Sequence, residues 1–236
     1  MNARQFALPV DDETIAVDTL GSAEQLSALF LHGAGQSHRQ RQRLLREELA
    51  EQGFGSIAFD FSGHGDSSAN SPGSLQKRLR EAEHVLQATN VAHAVHTVVG
   101  TSMSGEIAIR LACKPDSELT HLVMIVGAIY DRAAFALPFG PAFSAAIRRP
   151  QSWREAETLE FIRHYRGGLS IIRALDDAVI PHDVAELLVQ AAQSARFRRL
   201  IDLPDTDHRL SEKMVQDALL RQRIAAIIRQ ENQEEK

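Results

Sequence analysis

The sequence predicts an α/β fold in which a mostly parallel sheet is covered by helices on both faces. Short β-rich apolar runs alternate along the chain with longer segments of helical periodicity, the order typical of parallel strands joined by helical crossovers. From residue 28 onward these runs are apolar almost throughout, as in strands that are buried on both sides. A chain of 236 residues can bury a sizeable core, and we expect a single domain over 1–236.

Seven runs predict the strands of this sheet. The first two precede every predicted helix, and we expect them to pair as an antiparallel hairpin at the edge of the sheet. In chain order the runs are TIAVDTL (14–20), ALFLHG (28–33), GSIAFDF (55–61), HTVVGTS (96–102), HLVMIVGA (121–128), LSIIRAL (169–175) and FRRLIDL (197–203).

Helical periodicity fills the gaps between these runs and the stretch after the last one. The first helical segment ends at Gly53, and glycine is a common helix stop signal. Right-handed crossovers through such helices would place them on both faces of the sheet. The predicted helices are 41–52, 74–89, 103–113, one that starts near Pro181, and 211–230, before a polar tail at 231–236.

One connection is longer than a crossover needs. Between the runs 121–128 and 169–175 lie residues rich in Ala, Phe and Pro, which predict two or three short helices. We interpret about 130–167 as a short helical lid inserted over the strand ends, where open α/β sheets bind ligands. An ordinary helical connection is the alternative.

Composition excludes several classes of function. The net charge of −5 argues against a nucleic-acid partner, because phosphate binding needs concentrated positive charge. The lone Cys113 excludes a disulfide scaffold and fits a reducing compartment. The N-terminus shows no signal peptide, and the longest apolar stretch, LVMIVGAIY, is too short to span a membrane. We therefore expect a cytoplasmic protein with no membrane span.

The strongest motif for chemistry is Gly100-Thr101-Ser102-Met103-Ser104, between a predicted strand and a predicted helix. A sharp turn there would raise the Ser102 hydroxyl above the sheet edge, and its small neighbours would let strand and helix approach closely. The N–H groups at the start of the helix could stabilise an oxyanion. The alternative is an ordinary turn with a capping serine.

This motif resembles the nucleophile elbow G-x-S-x-G of the α/β-hydrolase family. The resemblance implies an α/β-hydrolase fold with Ser102 as the nucleophile. The last glycine of the motif is replaced by Ser104, with Gly105 one step later, so Ser104 is a weaker second candidate. Members of this fold with an Asp or Cys nucleophile are excluded by the serine at this position.

The segment LFLHGAGQS (29–37) also resembles the family. The resemblance implies that the backbone N–H groups of Ala34 and Met103 form the oxyanion hole, with Gly35 as an alternative to Ala34. The glycines here also faintly suggest a dinucleotide-binding loop, but His38 stands where that fingerprint needs its third glycine.

The segment FDFSGHGDSS (59–68) resembles the family's D-x-x-G-x-G-x-S turn. We interpret Asp60, Gly63 and Gly65 as residues that shape this loop. His64 lies upstream of the serine, which is the wrong chain order for the base, so we interpret it as structural.

The acid and the base follow the last two predicted strands. The resembling motif D-x-x-V/I-P favours Asp177 as the acid and leaves Asp176 as an alternative. His208 follows the last strand and is the predicted base, so that the chain order is the family's Ser, Asp, His. Asp205 and Asp207 flank this histidine and could compete as the acid that orients it.

The resemblance implies a serine hydrolase that cleaves a carboxylic ester of a small or medium substrate through an acyl-enzyme. A thioesterase, amidase or C–C bond hydrolase with the same triad is an alternative, as is a non-catalytic binding protein on the same fold. The expected partner is a small-molecule acyl substrate, and we expect neither a metal nor a cofactor. Four apolar residues of the insertion would line the substrate pocket, unless they only pack the lid onto the core: Phe135, Leu137, Phe139 and Phe143.

Overall fold

The computed structural model describes residues 3–230 and contains one eight-stranded sheet. The strand order is β1-β2-β4-β3-β5-β6-β7-β8, and every pairing from β4 to β8 is parallel. The predicted mostly parallel α/β sheet is therefore confirmed. The strands are β1 Ala3–Val10, β2 Glu13–Leu20, β3 Leu26–Leu31, β4 Gly55–Phe59, β5 Thr97–Thr101, β6 His121–Ile125, β7 Gly168–Ala174 and β8 Phe197–Leu203.

The predicted hairpin was wrong in its members. The strand β2 pairs antiparallel with β1 on one side and with β4 on the other. The strand β1 was not predicted. The strand β3 lies instead between β4 and β5. Its residues 28–31 have no exposed surface, so their apolar side chains favour the middle of the sheet. In contrast, β1 is an edge strand whose half-buried Phe6 and Leu8 alternate with exposed residues, which leaves no continuous apolar run.

Two cores lie on opposite faces of the sheet. In β3, Leu29 and Leu31 belong to one cluster of buried side chains, and Ala28 and Phe30 belong to the other, as the alternation of a strand requires. Helices α2, α3, α4, α5 and α6 contribute to the first cluster, and α1, α7 and α8 to the second. The helices are α1 Arg43–Glu51, α2 Leu75–Thr89, α3 Ser104–Ala112, α4 Pro141–Ile147, α5 Thr158–His164, α6 His182–Ala191, α7 Leu210–Gln216 and α8 Ala218–Ile228.

The last predicted helix, 211–230, is two helices. The chain leaves α7 at Asp217, whose backbone is extended and whose side chain accepts a hydrogen bond of 2.9 Å from the Leu220 amide. Aspartate is a favoured N-cap because its carboxylate satisfies an amide of the first turn. The cap therefore starts a new helix inside a segment that is helical in its periodicity.

The insertion between β6 and β7 contains α4, α5 and two 3₁₀ turns, so its predicted helical content is confirmed. The insertion is tied to α3 at two points through Glu106, whose Oε2 accepts hydrogen bonds from the Tyr130 amide at 3.2 Å and from the Thr158 hydroxyl at 3.0 Å. The role of this insertion as a lid stays a prediction.

Among residues 3–230, no helix is long and apolar enough to cross a membrane. The predicted polar tail at 231–236 lies outside the described residues. The cytoplasmic location stays a prediction.

Candidate active site

Three of the predicted site residues follow the carboxyl ends of β5, β7 and β8. Because parallel strands end at the same edge of a sheet, the topology brings Ser102, Asp177 and His208 to one edge although they are far apart in the chain. This edge is also where open α/β sheets bind their ligands.

Ser102 occupies a strained turn between β5 and α3. Its φ of 52° lies in the left-handed region, which costs a non-glycine residue about 1 kcal/mol and persists only where the surroundings enforce it. Here the Ser102 amide donates to the Ile125 carbonyl at 3.0 Å, and the Ser102 carbonyl accepts from the Gly105 and Ala128 amides, both at 2.9 Å. One bond joins the turn to α3, and the other two join it to the end of β6 and the residues after it. Together they hold the hydroxyl above the sheet edge.

The small residues of the motif are needed where β5 and α3 touch. A Cβ on Gly100 would lie 2.7 Å from the Ala108 Cβ and closer still to the Ser104 carbonyl oxygen. Ser104, which replaces the motif's last glycine, is fully buried, and its hydroxyl donates to the His32 carbonyl at 2.5 Å. The second candidate nucleophile therefore holds the end of β3 and does not line the cleft beside Ser102.

A continuous chain of contacts links the three polar side chains. The Ser102 Oγ lies 2.9 Å from the His208 Nε2, and the His208 Nδ1 lies 2.8 Å from the Asp177 Oδ2. Because an ionised carboxylate only accepts, Nδ1 carries the ring proton and leaves Nε2 free to accept the serine proton. This arrangement can deprotonate the hydroxyl during attack on a carbonyl.

The acid is held in its ionised form. Burial raises the pKa of Asp177, but the His208 hydrogen bond and the amides of Val179 and Ile180 outweigh it and keep the pKa below its usual 3.8. Those two amides donate to Oδ1 at 2.8 and 3.0 Å, so both carboxylate oxygens are fixed. A fixed carboxylate can hold one orientation and one tautomer of the imidazole.

In the described part of the chain, none of the alternative acids Asp176, Asp205 and Asp207 bonds to His208. Asp176 is exposed, and the Asp207 carboxylate pairs with Arg209 at 2.9 Å. Among the described residues, Asp177 is the carboxylate bonded to His208. The sequence left this choice open, because the contact between Asp177 and His208 depends on how two loops meet.

Two backbone amides next to Ser102 are available as donors. Ala34 lines the same cleft as Ser102 and His208, whereas Gly35 does not. Met103 follows Ser102 at the start of α3, where the helix dipole favours negative charge. Within residues 3–230, neither the Ala34 nor the Met103 amide has a hydrogen-bond acceptor, so both can serve an oxyanion.

The cleft beside Ser102 is small, and most of the residues that line it are polar. Its volume is about 240 Å³, and its wall contains no aliphatic side chain larger than alanine. An ion pair between Arg41 and Glu212, 2.5 Å long, forms part of the wall. The lining residues are Gly33, Ala34, Gln36, Ser37, Arg41, Thr101, Ser102, His208, Arg209, Ser211 and Glu212.

The structure does not bring the four predicted substrate-binding residues to this cleft. Phe143 is buried and packs edge-to-face with Phe139, with ring centroids 4.9 Å apart. The Arg110 guanidinium covers Phe135, and Leu137 packs half-buried on the core. This packing is the alternative that the sequence left open, and an apolar pocket built from these residues stays a prediction.

In the loop after β4, Asp60 and Gly65 have the structural role that the sequence predicts. The Asp60 carboxylate is fully buried and binds the Arg39 guanidinium and, at 2.9 Å, the Asp66 amide. A Cβ on Gly65 would collide with this carboxylate. Arg39 was missed at the sequence level, because nothing in its spacing distinguishes it from the other arginines of the same segment.

No group of three His, Cys, Asp or Glu side chains within residues 3–230 is arranged to hold a metal ion.

Comparisons with known proteins agree on the fold. A sequence model of the alpha/beta hydrolase family matches residues 28–230. No curated protein matches the sequence at a significant level. Solved structures match over nearly the whole chain at low identity.

Three of these structures illustrate the range. The thioesterase domain from the curacin biosynthetic pathway is 16% identical, with a TM-score of 0.71 over 97% of this chain and 99% of its own. An esterase from Pyrococcus furiosus is 16% identical, with a TM-score of 0.68 over 97% and 92%. A mutant of a meta-cleavage product hydrolase is 16% identical, with a TM-score of 0.71 over 95% and 98%.

Proposed function

Since the chain belongs to the alpha/beta hydrolase family, we propose that it is a serine hydrolase that cleaves carboxylic esters of small or medium substrates through an acyl-enzyme. The observation that carries the proposal is the pair of contacts from Ser102 to His208, 2.9 Å, and from His208 to Asp177, 2.8 Å. A serine hydroxyl is a weak nucleophile until such a base takes its proton.

The reaction follows from these contacts. The Ser102 Oγ attacks the ester carbonyl carbon while its proton passes to the His208 Nε2, and Asp177 stabilises the imidazolium. The oxyanion accepts hydrogen bonds from the Ala34 and Met103 amides. His208 returns the proton to the leaving alcohol. It then takes a proton from a water molecule, whose oxygen attacks the acyl carbon. His208 returns this proton to the Ser102 Oγ as the bond between that oxygen and the acyl carbon breaks, which releases the acid and restores the serine hydroxyl.

The cleft favours a short substrate. Its volume of about 240 Å³ is below the usual range of about 300–1,000 Å³ for ligand pockets, and its wall contains no aliphatic side chain larger than alanine against which a long alkyl chain could pack. We therefore expect acetyl and butyryl esters to be better substrates than octanoyl esters.

The test is a panel of p-nitrophenyl esters from acetate to octanoate, with acyl-CoA thioesters and aminoacyl amides beside them. We expect ester hydrolysis with the highest kcat/KM at short chains, and none by Ser102→Ala. Preference for the thioesters or amides would assign one of the alternative reactions of the same triad. The absence of any turnover and of any fluorophosphonate adduct at Ser102 would favour a non-catalytic binding protein.

A further inference from the structure

A buried cation lies behind the predicted oxyanion hole. Arg78 of α2 has 2% of its surface exposed, and among the described residues its hydrogen bonds go to a backbone carbonyl and a histidine ring, with no carboxylate at ion-pair distance. Burial lowers the pKa of Arg78 to about 10, so the side chain remains a cation at neutral pH. Its electrostatic partner is the buried carboxyl of Glu81, which raises the pKa against burial but lies beyond ion-pair distance. The proposed proton transfers do not use this cation.

The Arg78 guanidinium forks onto the loop that follows β3. Its Nη1 donates to the Gly33 carbonyl at 3.2 Å, and its Nη2 donates to the His64 Nε2 at 2.7 Å. Phe61 and Phe139 lie against the guanidinium, with their ring centroids 4.5 and 5.5 Å from its central carbon. These aromatic rings shield the cation from water and stabilise it.

His64 extends the same support to a second point of the loop. Its Nδ1 donates to the Ser37 carbonyl at 3.0 Å, which leaves Nε2 without a proton and able to accept from Arg78. Burial, with the nearby Arg78 charge, lowers the pKa of His64 and keeps the ring neutral. Arg78 therefore acts on the loop at Gly33 directly and at Ser37 through His64.

The Gly33 carbonyl and the Ala34 amide belong to one peptide unit. In a trans peptide these two groups point in opposite directions. The Gly33 oxygen also accepts from the His32 Nδ1 at 2.8 Å, since the Phe61 amide donates to the other ring nitrogen at 3.1 Å. Two donors therefore hold the carbonyl from the protein side, and the opposite N–H belongs to Ala34, which lines the cleft.

We propose that Arg78 is a positioning residue that aims and polarises the Gly33–Ala34 peptide toward the oxyanion. This inference rests on the proposed function, because the Ala34 amide has a part in catalysis only if Ser102 attacks an acyl group. The cation lies at the oxygen end of the peptide dipole, so it strengthens the N–H as a donor. Negative charge on the substrate oxygen develops in the transition state, so the effect falls on kcat more than on KM.

Lys77 provides a matched control on the same helix. It is also a buried cation, 5% exposed, but its Nζ pairs with Glu13 at 2.5 Å, away from the loop at 33–37. Lys77→Met therefore removes a buried charge of α2 without touching the oxyanion peptide. We expect it to lower stability and to leave the kcat of the folded protein within about twofold of wild type.

The experiment compares Arg78→Met, Arg78→Lys and Lys77→Met on the best ester of the panel, below the midpoint of thermal unfolding. For Arg78→Met we expect kcat to fall about tenfold to hundredfold, at or below the loss caused by removing an oxyanion donor itself, with KM within about twofold. Affinity for a trifluoromethyl ketone transition-state analogue should fall by the same factor as kcat/KM.

Arg78→Lys keeps the charge but has a single nitrogen in place of the fork, and we expect an intermediate loss of about threefold to tenfold. A folded Arg78→Met with kcat and analogue affinity like those of wild type would overturn the inference. If Arg78→Met does not fold, an unchanged kcat in folded Arg78→Lys would overturn it. If wild type neither turns over esters nor is labelled at Ser102, the proposed function fails first and this inference with it.

Discussion

Glu13 ties three parts of the fold together through one buried carboxylate. It begins β2, has 3% of its surface exposed, and pairs with Lys77 of α2 at 2.5 Å. It also accepts hydrogen bonds from the Asn70 and Ser71 amides, both at 3.0 Å, and from the Ser68 hydroxyl. Replacing it by glutamine keeps the shape of the side chain and removes its charge.

The size of the effect follows from the pKa. Burial raises the pKa of Glu13, but Lys77 and the donors of the loop outweigh it and lower the pKa from 4.5 to about 2. Without screening by water, this difference in pKa corresponds to about 3 kcal/mol of stability. The neighbouring Asp12 and Asn70 are exposed, so water screens the pair, and we expect Glu13→Gln to cost about 1–2 kcal/mol at pH 7.

The pH dependence tests the cause. Because the pKa is lower in the folded state, the contribution is complete above the unfolded value near 4.5 and is lost as pH falls toward about 2. Urea unfolding of wild type and Glu13→Gln should show a gap that is constant from pH 7 to pH 5 and shrinks by pH 3. Exposed Glu118→Gln, which removes a surface contact to His93, should cost less than about 0.5 kcal/mol. A gap for Glu13→Gln that does not change with pH would refute the electrostatic origin.

Two further predictions concern the candidate site. Asp177→Asn should lower kcat by a factor of about 10²–10⁴, because the amide no longer fixes the His208 tautomer. Asp176→Asn should keep a kcat within about threefold of wild type. Equal losses of kcat in the two variants, measured by steady-state kinetics, would contradict the assignment of Asp177. Gly100→Ala should lower the free energy of unfolding by about 1–3 kcal/mol, because the new Cβ would lie 2.7 Å from the Ala108 Cβ and push α3 away from β5. A variant as stable as wild type in thermal unfolding would show that the contact is not tight.

The sequence predicted best where one local pattern determines the structure. The apolar run before Ser102 and the small residues around it predict a strand, a sharp turn and a helix, and the structure contains β5, the φ of 52° at Ser102 and α3. The family resemblance indicated an acid and a base after two later strands and left Asp176 open beside Asp177. The structure has Asp177 and His208 after β7 and β8, which end at the same edge of the sheet as β5.

Features that depend on distant contacts were not predicted. In the strand β1, half-buried side chains alternate with exposed ones, and its place at the edge is set by pairing with β2. Phe139 looks like a pocket residue in the sequence, yet it packs on Phe143 and beside Arg78. Arg78 itself is one basic residue among several on α2, and only the fold shows that it reaches Gly33.

The central claim is that Ser102 is the nucleophile, and intact mass after fluorophosphonate labelling tests it most directly. We predict one adduct on wild type and on Ser104→Ala, whose hydroxyl is engaged with the His32 carbonyl, and none on folded Ser102→Ala. An adduct on Ser102→Ala equal to that on wild type, or no adduct on wild type that hydrolyses esters, would contradict the account.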